Sequence, residues 1–175
     1  MDDFRIPVLR TPRLTLRALA ARDLDAFAAM HADPEVVRHL GTGQTRTREE
    51  TWTAMAGMLG QWALRGYGMF AVEETASGRF AGRAGILHPY AWPEPELAYG
   101  LDRPFWGQGL ATEAALALRD WAFATQGFAR MISYVRRANA GSVKVLQKLG
   151  ATLAGEQIML GSPAQVWHHA PPAAG

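Results

Sequence analysis

The segment Phe105-Trp106-Gly107-Gln108-Gly109-Leu110-Ala111-Thr112 has the spacing with the clearest chemical meaning in the chain. Two glycines one residue apart, where a strand-like run gives way to a helix-like one, permit unusual φ angles and close approach of a ligand to the main chain. The unpaired amides of a helix's first turn, at the positive end of its dipole, then suit an anion such as a pyrophosphate. A tight strand-to-helix turn would use the same glycines, so the pattern alone leaves both readings open. It is not a Walker A loop, because no Gly-Lys-Ser/Thr follows, and Thr112 stands where a dinucleotide fold has its third glycine. The chain contains no cysteine, which excludes a thiolate nucleophile, disulfides and Cys-containing zinc sites. His168 and His169 are adjacent in a strand-like run and would point to opposite faces, so no metal site is expected. His88 has an ordinary pKa suited to base work, although a single histidine before Pro89 also fits a structural role.

These residues need a scaffold. The chain's 175 residues suit one domain of roughly 100 to 200 residues, expected to span 1–175 with 171–175 as a loose tail. With 49% hydrophobic residues and a formal charge of +2, a packed core is expected, and no basic stripe suggests nucleic acid as partner. Lys144 and Lys148 are the chain's two lysines, the other basic residues being arginine, a bias that reads as background composition. The start, Met1 to Arg5, has no apolar h-region and no run of about 18 apolar residues occurs, so a cytoplasmic protein without a membrane partner is expected. Alternation predicts strands at 11–17, 69–73, 80–87, 96–101, 131–135, 152–160 and 165–169. Helical spacing predicts helices from Asp23 to Asp33-Pro34, from a Thr47-Arg48-Glu49-Glu50 capping box to Gly66, from Leu110 to Phe123, and from Asn139 to Leu149. Strand, helix, strand across 96–135 implies one parallel pair.

Four blocks in order carry a resemblance: Glu96-Leu97-Ala98-Tyr99-Gly100-Leu101, Trp106 to Ala114, Asn139-Ala140-Gly141-Ser142, and Leu146-Gln147-Lys148-Leu149-Gly150. Together with Thr11 to Arg17 and Asp33-Pro34-Glu35-Val36, they closely resemble the GNAT N-acetyltransferases. The branch that includes ribosomal-protein N-terminal alanine acetyltransferases is the nearest in pattern. Gly109 and Ala111 fit the second half of the family signature, while Trp106 stands where Gln or Arg is usual. The resemblance implies an α/β fold with a mixed, twisted, splayed sheet of about seven strands and about four helices. The strands at 96–101 and 131–135 would part around the pantetheine arm of acetyl-CoA. Leu101 and Arg103 would border that arm, Gly107, Gln108, Gly109, Leu110, Ala111 and Thr112 would hold the pyrophosphate through main-chain amides, and Asn139 and Ser142 would face the arm from the next helix. Asparagine is also a good N-cap, and both roles are compatible at Asn139.

The same resemblance implies direct attack of a primary amine on the thioester, without a covalent enzyme intermediate. Glu96 is then the expected base, directly or through a water. A main-chain N–H of its strand would stabilise the oxyanion, and Ser142 would assist the leaving thiolate. Many members have a tyrosine for that last task where this chain has Leu146. Trp52, Trp92 and Tyr99 are expected to wall the acceptor site. A peptide or protein N-terminus, and an aminoglycoside or other polyamine, both remain open as acceptor. Polyamines favour an acidic cleft, for which Glu94 and Glu96 are the obvious residues. Trp106 and Leu146 also leave open a non-catalytic acyl-CoA-binding module, and the chain is compatible with a monomer or a homodimer.

Overall fold

The computed structural model describes residues 5–171, so 172–175 of the expected tail lie outside the described residues. The chain runs through β1 (Leu9–Arg10), β2 (Leu14–Arg17), α1 (Leu24–Ala32), α2 (Pro34–Val37), α3 (Arg48–Arg65), β3 (Met69–Glu74), β4 (Phe80–Leu87), β5 (Glu96–Leu101), α4 (Leu110–Gln126), β6 (Met131–Val135), α5 (Ala140–Lys148), β7 (Thr152–Met159) and β8 (Ser162–His169). The strands form one sheet in the order β1-β2-β3-β4-β5-β6-β8-β7. Every neighbouring pair is antiparallel except β5 and β6.

Among the described residues the sheet has eight strands where about seven were expected, and there are five α-helices where about four were expected. The two additions are too short to show a period. β1 is cut from β2 by a turn in which the Thr11 amide donates to Leu14 O at 2.9 Å. Asp33-Pro34 closes α1 and also opens α2: the Asp33 carboxylate accepts from the Glu35 amide at 2.9 Å, with proline at the first helical position.

Local chemistry fixes the longer helices. The Thr47 hydroxyl accepts from the Glu50 amide at 3.1 Å and the Glu50 carboxylate accepts from the Thr47 amide at 2.7 Å, a capping box at the start of α3. Gly66, with φ 74°, ends that helix in the left-handed region. The buried face of α3 runs through Thr51, Met55 and Trp62, so Trp52 lies about 100° around the helix from it and is exposed. The reason is that a polar residue, Thr51, takes the inner position by pairing with His31 Nδ1 at 3.2 Å.

The core has two layers about the sheet. α4 buries Leu110, Ala114, Ala115, Leu118 and Ala122 against Phe70, Val72, Ala84, Ile86 and Leu97. On the other side, Phe27, Met30, Val36 and Met55 pack over Ala71. Leu146 is fully buried with Val135 and Trp167. Among the described residues no helix is long and apolar enough to cross a membrane.

Glu113 of α4 ties the N-terminal edge of the sheet to the glycine turn. Its carboxylate accepts from Thr11 Oγ1 at 2.6 Å, the Arg13 amide at 2.9 Å and Arg13 Nε at 2.7 Å, while Arg13 Nη1 donates to Gln108 O at 2.9 Å. Partial burial pushes this carboxyl up, but the Thr11 and Arg13 bonds outweigh it and hold it below the usual range. A carboxyl so depressed contributes stability above its unfolded pKa and loses it as the pH falls through the folded value. Glu113→Gln is therefore expected to lower stability by about 1–2 kcal/mol at pH 7, with the gap closing as the pH falls below about 4. Urea unfolding of both forms across that range checks it.

Candidate functional site

β5 and β6 pair at one register position, Glu96 with Ile132, where the Ile132 amide donates to Pro95 O at 3.0 Å. Beyond it, side chains take the bonds that a continuing ladder would have made. Ser133 Oγ donates to Leu97 O at 2.6 Å, and the Tyr134 amide donates to Glu96 Oε1 at 3.2 Å. The strands part from there, and a cavity lies on each side of the opening. One, of about 600 Å³, runs along the end of β5, the glycine turn and the start of α5. The other, of about 400 Å³, contains Glu96, Arg83, Trp92 and Tyr134. His39, Leu40, Tyr99, Asn139 and Ser142 border both.

In the larger cavity Gly107 and Gly109 have φ of 72° and 77°, a region in which only glycine is comfortable. Gly109 is the N-cap of the 17-residue helix α4, so the amides of Leu110, Ala111 and Thr112 begin its first turn without intrahelical acceptors. These three residues, Gly107, Gly109 and Leu101 all line the cavity, and Lys144 and Lys148 of α5 line it as well. Open space lies over Gly107, where an added Cβ would meet nothing within 4 Å. A bare main-chain turn at a helix start, faced by two ammonium groups, fits the pyrophosphate of coenzyme A, and the elongated cavity fits its pantetheine arm.

Two expected residues do not line this cavity through their side chains. Arg103 is exposed and pairs with Asp33 at 3.4 Å, and the Gln108 amide group donates to Pro104 O at 2.8 Å. Trp106, in the place of the usual Gln or Arg, donates from Nε1 to Leu101 O at 2.7 Å and so ties down the end of β5. Asn139 caps α5, its Oδ1 accepting from the Ser142 amide at 3.1 Å, while it borders both cavities.

In the smaller cavity Glu96 is only 7% exposed. Burial pushes its carboxyl up to about 7, against the opposing pull of the Tyr134 amide and the Arg83 charge. Tyr99 hydrogen bonds Ser142 Oγ through its hydroxyl at 2.8 Å, and burial pushes its phenol up to about 12 despite that bond. Trp92 stands edge-on to Tyr134 with centroids 5.3 Å apart. Trp52 lines neither cavity, a correction that follows from the turned face of α3. His88 is also absent from both walls. Its Nδ1 takes the Tyr67 hydroxyl at 2.6 Å and its Nε2 faces Trp92 O at 3.2 Å, so a neutral ring holds the loop that carries Trp92. Among the described residues no group of three or more His, Asp or Glu could hold a metal ion.

A family model described as an acetyltransferase (GNAT) domain matches residues 13–152. The chain belongs to the GNAT acetyltransferase family. It is an acetyl-CoA-dependent N-acetyltransferase. An acetyltransferase structure from Agrobacterium tumefaciens is 36% identical, covers 95% of each chain and superposes with a TM-score of 0.84. An uncharacterized Bacillus subtilis protein, YkkB, is 29% identical over 150 residues, which is 81% of this chain and 83% of that protein. The structure of RimL, a ribosomal L7/L12 alpha-N-protein acetyltransferase in complex with coenzyme A, is 21% identical, covers 96% of this chain and 100% of its own, and shares the fold with a TM-score of 0.78.

Sequence reasoning missed four groups on the GNAT site. Lys144 and Lys148 gave a signal in their four-residue spacing on one helix, because residues so spaced share a face. His39 and Arg83 gave none. His39 follows α2, and its Nδ1 is buried without a hydrogen-bond partner, as is Nε of Arg83.

Acetyl-CoA at about 100 times its Kd is expected to stabilise the protein by about 2.7 kcal/mol, read as a rise in Tm. Gly109→Pro, which cannot keep φ at 77°, is expected to remove most of that rise while circular dichroism reports an intact fold. Replacing both Lys144 and Lys148 by alanine should weaken the rise less, and more visibly at low salt. An undiminished shift in both variants would reject the cradle.

Proposed function

We propose that the protein acetylates the α-amino group of a peptide or protein N-terminus, which enters the smaller cavity and attacks the acetyl-CoA thioester where β5 and β6 part. Glu96 carries this reading. An α-amino group has a pKa of about 8, so passing its proton to a carboxylate at about 7 is uphill by about one unit, or about 1.4 kcal/mol. An ordinary glutamate, at 4.5, would leave a barrier more than twice as high. The same burial that costs the carboxylate solvation makes it a competent base near neutral pH.

The remaining steps use groups at the opening. A residue whose carbonyl faces a neighbouring strand directs its amide to the same side. Pro95 and Leu97 turn their carbonyls toward β6, so alternation brings the Tyr99 amide to that side where the ladder has ended, as an oxyanion donor. The amine nitrogen forms a bond to the acetyl carbon, the carbon–sulfur bond breaks, and the thiolate of coenzyme A leaves beside Ser142 and Tyr99. A thiolate of pKa about 8.5 cannot take a proton outright from a phenol at about 12. The Tyr99–Ser142 pair therefore holds the thiolate by a hydrogen bond, and the proton released from the amine neutralises it. Arg46, Arg83 and Arg136 line the smaller cavity against the single carboxylate of Glu96, which disfavours aminoglycosides and polyamines. RimL, described as acting on an alpha-N-protein group, shares the fold.

Glu96→Gln keeps the shape and is expected to lower kcat by about 100-fold at pH 6–7, with acetyl-CoA affinity unchanged and the loss shrinking above about pH 8, where the acceptor is already neutral. Folding linkage provides a second readout. A carboxyl raised to about 7 contributes stability below its unfolded pKa that is lost as the pH rises through 7. Wild-type stability should fall across that window relative to Glu96→Gln. An unchanged kcat at low pH would remove Glu96 as base and point to His39. Tyr99→Phe should lower kcat roughly tenfold, the value of one hydrogen bond to a charged group, with little effect on KM for acetyl-CoA.

A further inference from the structure

Arg83 has no task in the chemistry above. It lies on β4 in register with Gly100, half-buried on the wall of the smaller cavity. Its Nε is shielded from solvent and meets no acceptor, and its guanidinium makes no ion pair or hydrogen bond among the described residues. A guanidinium presents five donors in a planar fork that matches a carboxylate, and leaving such a fork unpaired in a cavity wall is costly unless a ligand completes it. Leu87 pairs with Glu96 on the same ladder, so Arg83 and Glu96 share one sheet face, four residues or roughly 13 Å apart along β5. The residue between them on that face is Ala98, which lines the cavity and leaves its floor open.

We propose that Arg83 binds a carboxylate of the acceptor, so that the protein acetylates amines that carry a carboxylate, with the amine at Glu96, the carboxylate at Arg83 and Arg46 assisting at the cavity mouth. This rests on the proposed acetylation of an amine in that cavity and names the acceptor's second anchor. The other charges facing the cavity support it. Arg46 is exposed on its rim and has no side-chain partner among the described residues, whereas Arg136 is committed to the carbonyls of Arg38 and Gly41 at 3.3 and 2.8 Å. His31, packed behind on α1, is held neutral by burial, with a pKa of about 3. Among the described residues Glu96 is the only acidic side chain lining the cavity; it takes the Tyr134 amide and makes no hydrogen bond to Arg83, whose fork is left open. The carboxylate can belong to a free amino acid or to an acidic residue beside a peptide N-terminus, and both present the same pair of charges.

The test compares kcat/KM within two matched pairs, alanine against alaninamide and the amidated dipeptide Ala-Glu against Ala-Gln. The carboxylate member is expected to be preferred at least tenfold in one pair, through KM, and that pair names the source. Arg83→Gln should reduce the preference at least tenfold, and Arg83→Lys, which keeps the charge and loses the fork, should retain part of it. The absence of a preference in both pairs, or its survival in Arg83→Gln, overturns the proposal. Should Arg83→Gln not fold, Arg46→Ala takes its place with an expected loss of about threefold, and an unchanged preference counts against the anchor. Calorimetric titration of the coenzyme A-bound protein with the N-acetylated members of each pair reads the same ranking without turnover. Equal affinities there overturn the carboxylate anchor. Efficient acetylation of the amides alone would leave the acetyltransfer reading standing while this one falls. Selective binding without release of coenzyme A would do the reverse.

Discussion

A parallel seam held at one main-chain position organises the rest of this molecule. β5 is paired to β4 along its whole length and β6 to β8 along its own, so each strand is fixed from its outer side and the seam between them can open without loss of the sheet. Opening leaves main-chain groups without ladder partners, and buried amides and carbonyls must find others. Ser133 and Glu96 supply them. The crossover helix α4 then has to start just beyond β5, which aims its free first-turn amides at the same opening. One interrupted ladder thus sets where the two cavities lie and which residues they share.

The electrostatics of Glu96 follow from that structural duty. Accepting the Tyr134 amide favours its ionised form, and so does the Arg83 charge, yet burial outweighs both. A carboxylate placed to cap a strand in a dry site is for that reason a better proton acceptor than one in water. The arrangement gives up folding stability at neutral pH and leaves a carboxyl whose pKa, at about 7, lies near that of an α-amino group.

What could be read in the sequence was the chemistry of neighbours along the chain. The Thr47–Glu50 capping box, the Asn139 cap and the two glycines before α4 each act within a few residues, and each occurs as the residue types dictate. β1 and α2 were hidden because so short a segment has no period. Trp52 was expected to wall the acceptor site, whereas the bond of Thr51 to His31 lets a hydroxyl stand in the core and leaves the neighbouring indole exposed. Arg83 reads as an ordinary outward residue of an alternating strand, and only the register of β4 on β5 shows that its side of the sheet looks onto a cavity. Lys144 and Lys148 were set aside as composition, although their spacing places both on one face of α5.

Trp106 and Leu146 depart from the residues usual in this family, and the surrounding packing absorbs both. Trp106 turns its indole N–H to Leu101 O, so the side chain that replaces a polar group at the glycine turn still satisfies a main-chain acceptor at the free end of β5. Leu146 fills a core shared with Val135 and Trp167, a place that a phenol could enter only with a buried hydrogen-bond partner. A phenol reaches the opening from β5 instead, as Tyr99 bonded to the Ser142 hydroxyl of α5. Tyr99 and Glu96 lie on the same strand, so one segment of backbone sets both the phenol and the buried carboxyl at the seam.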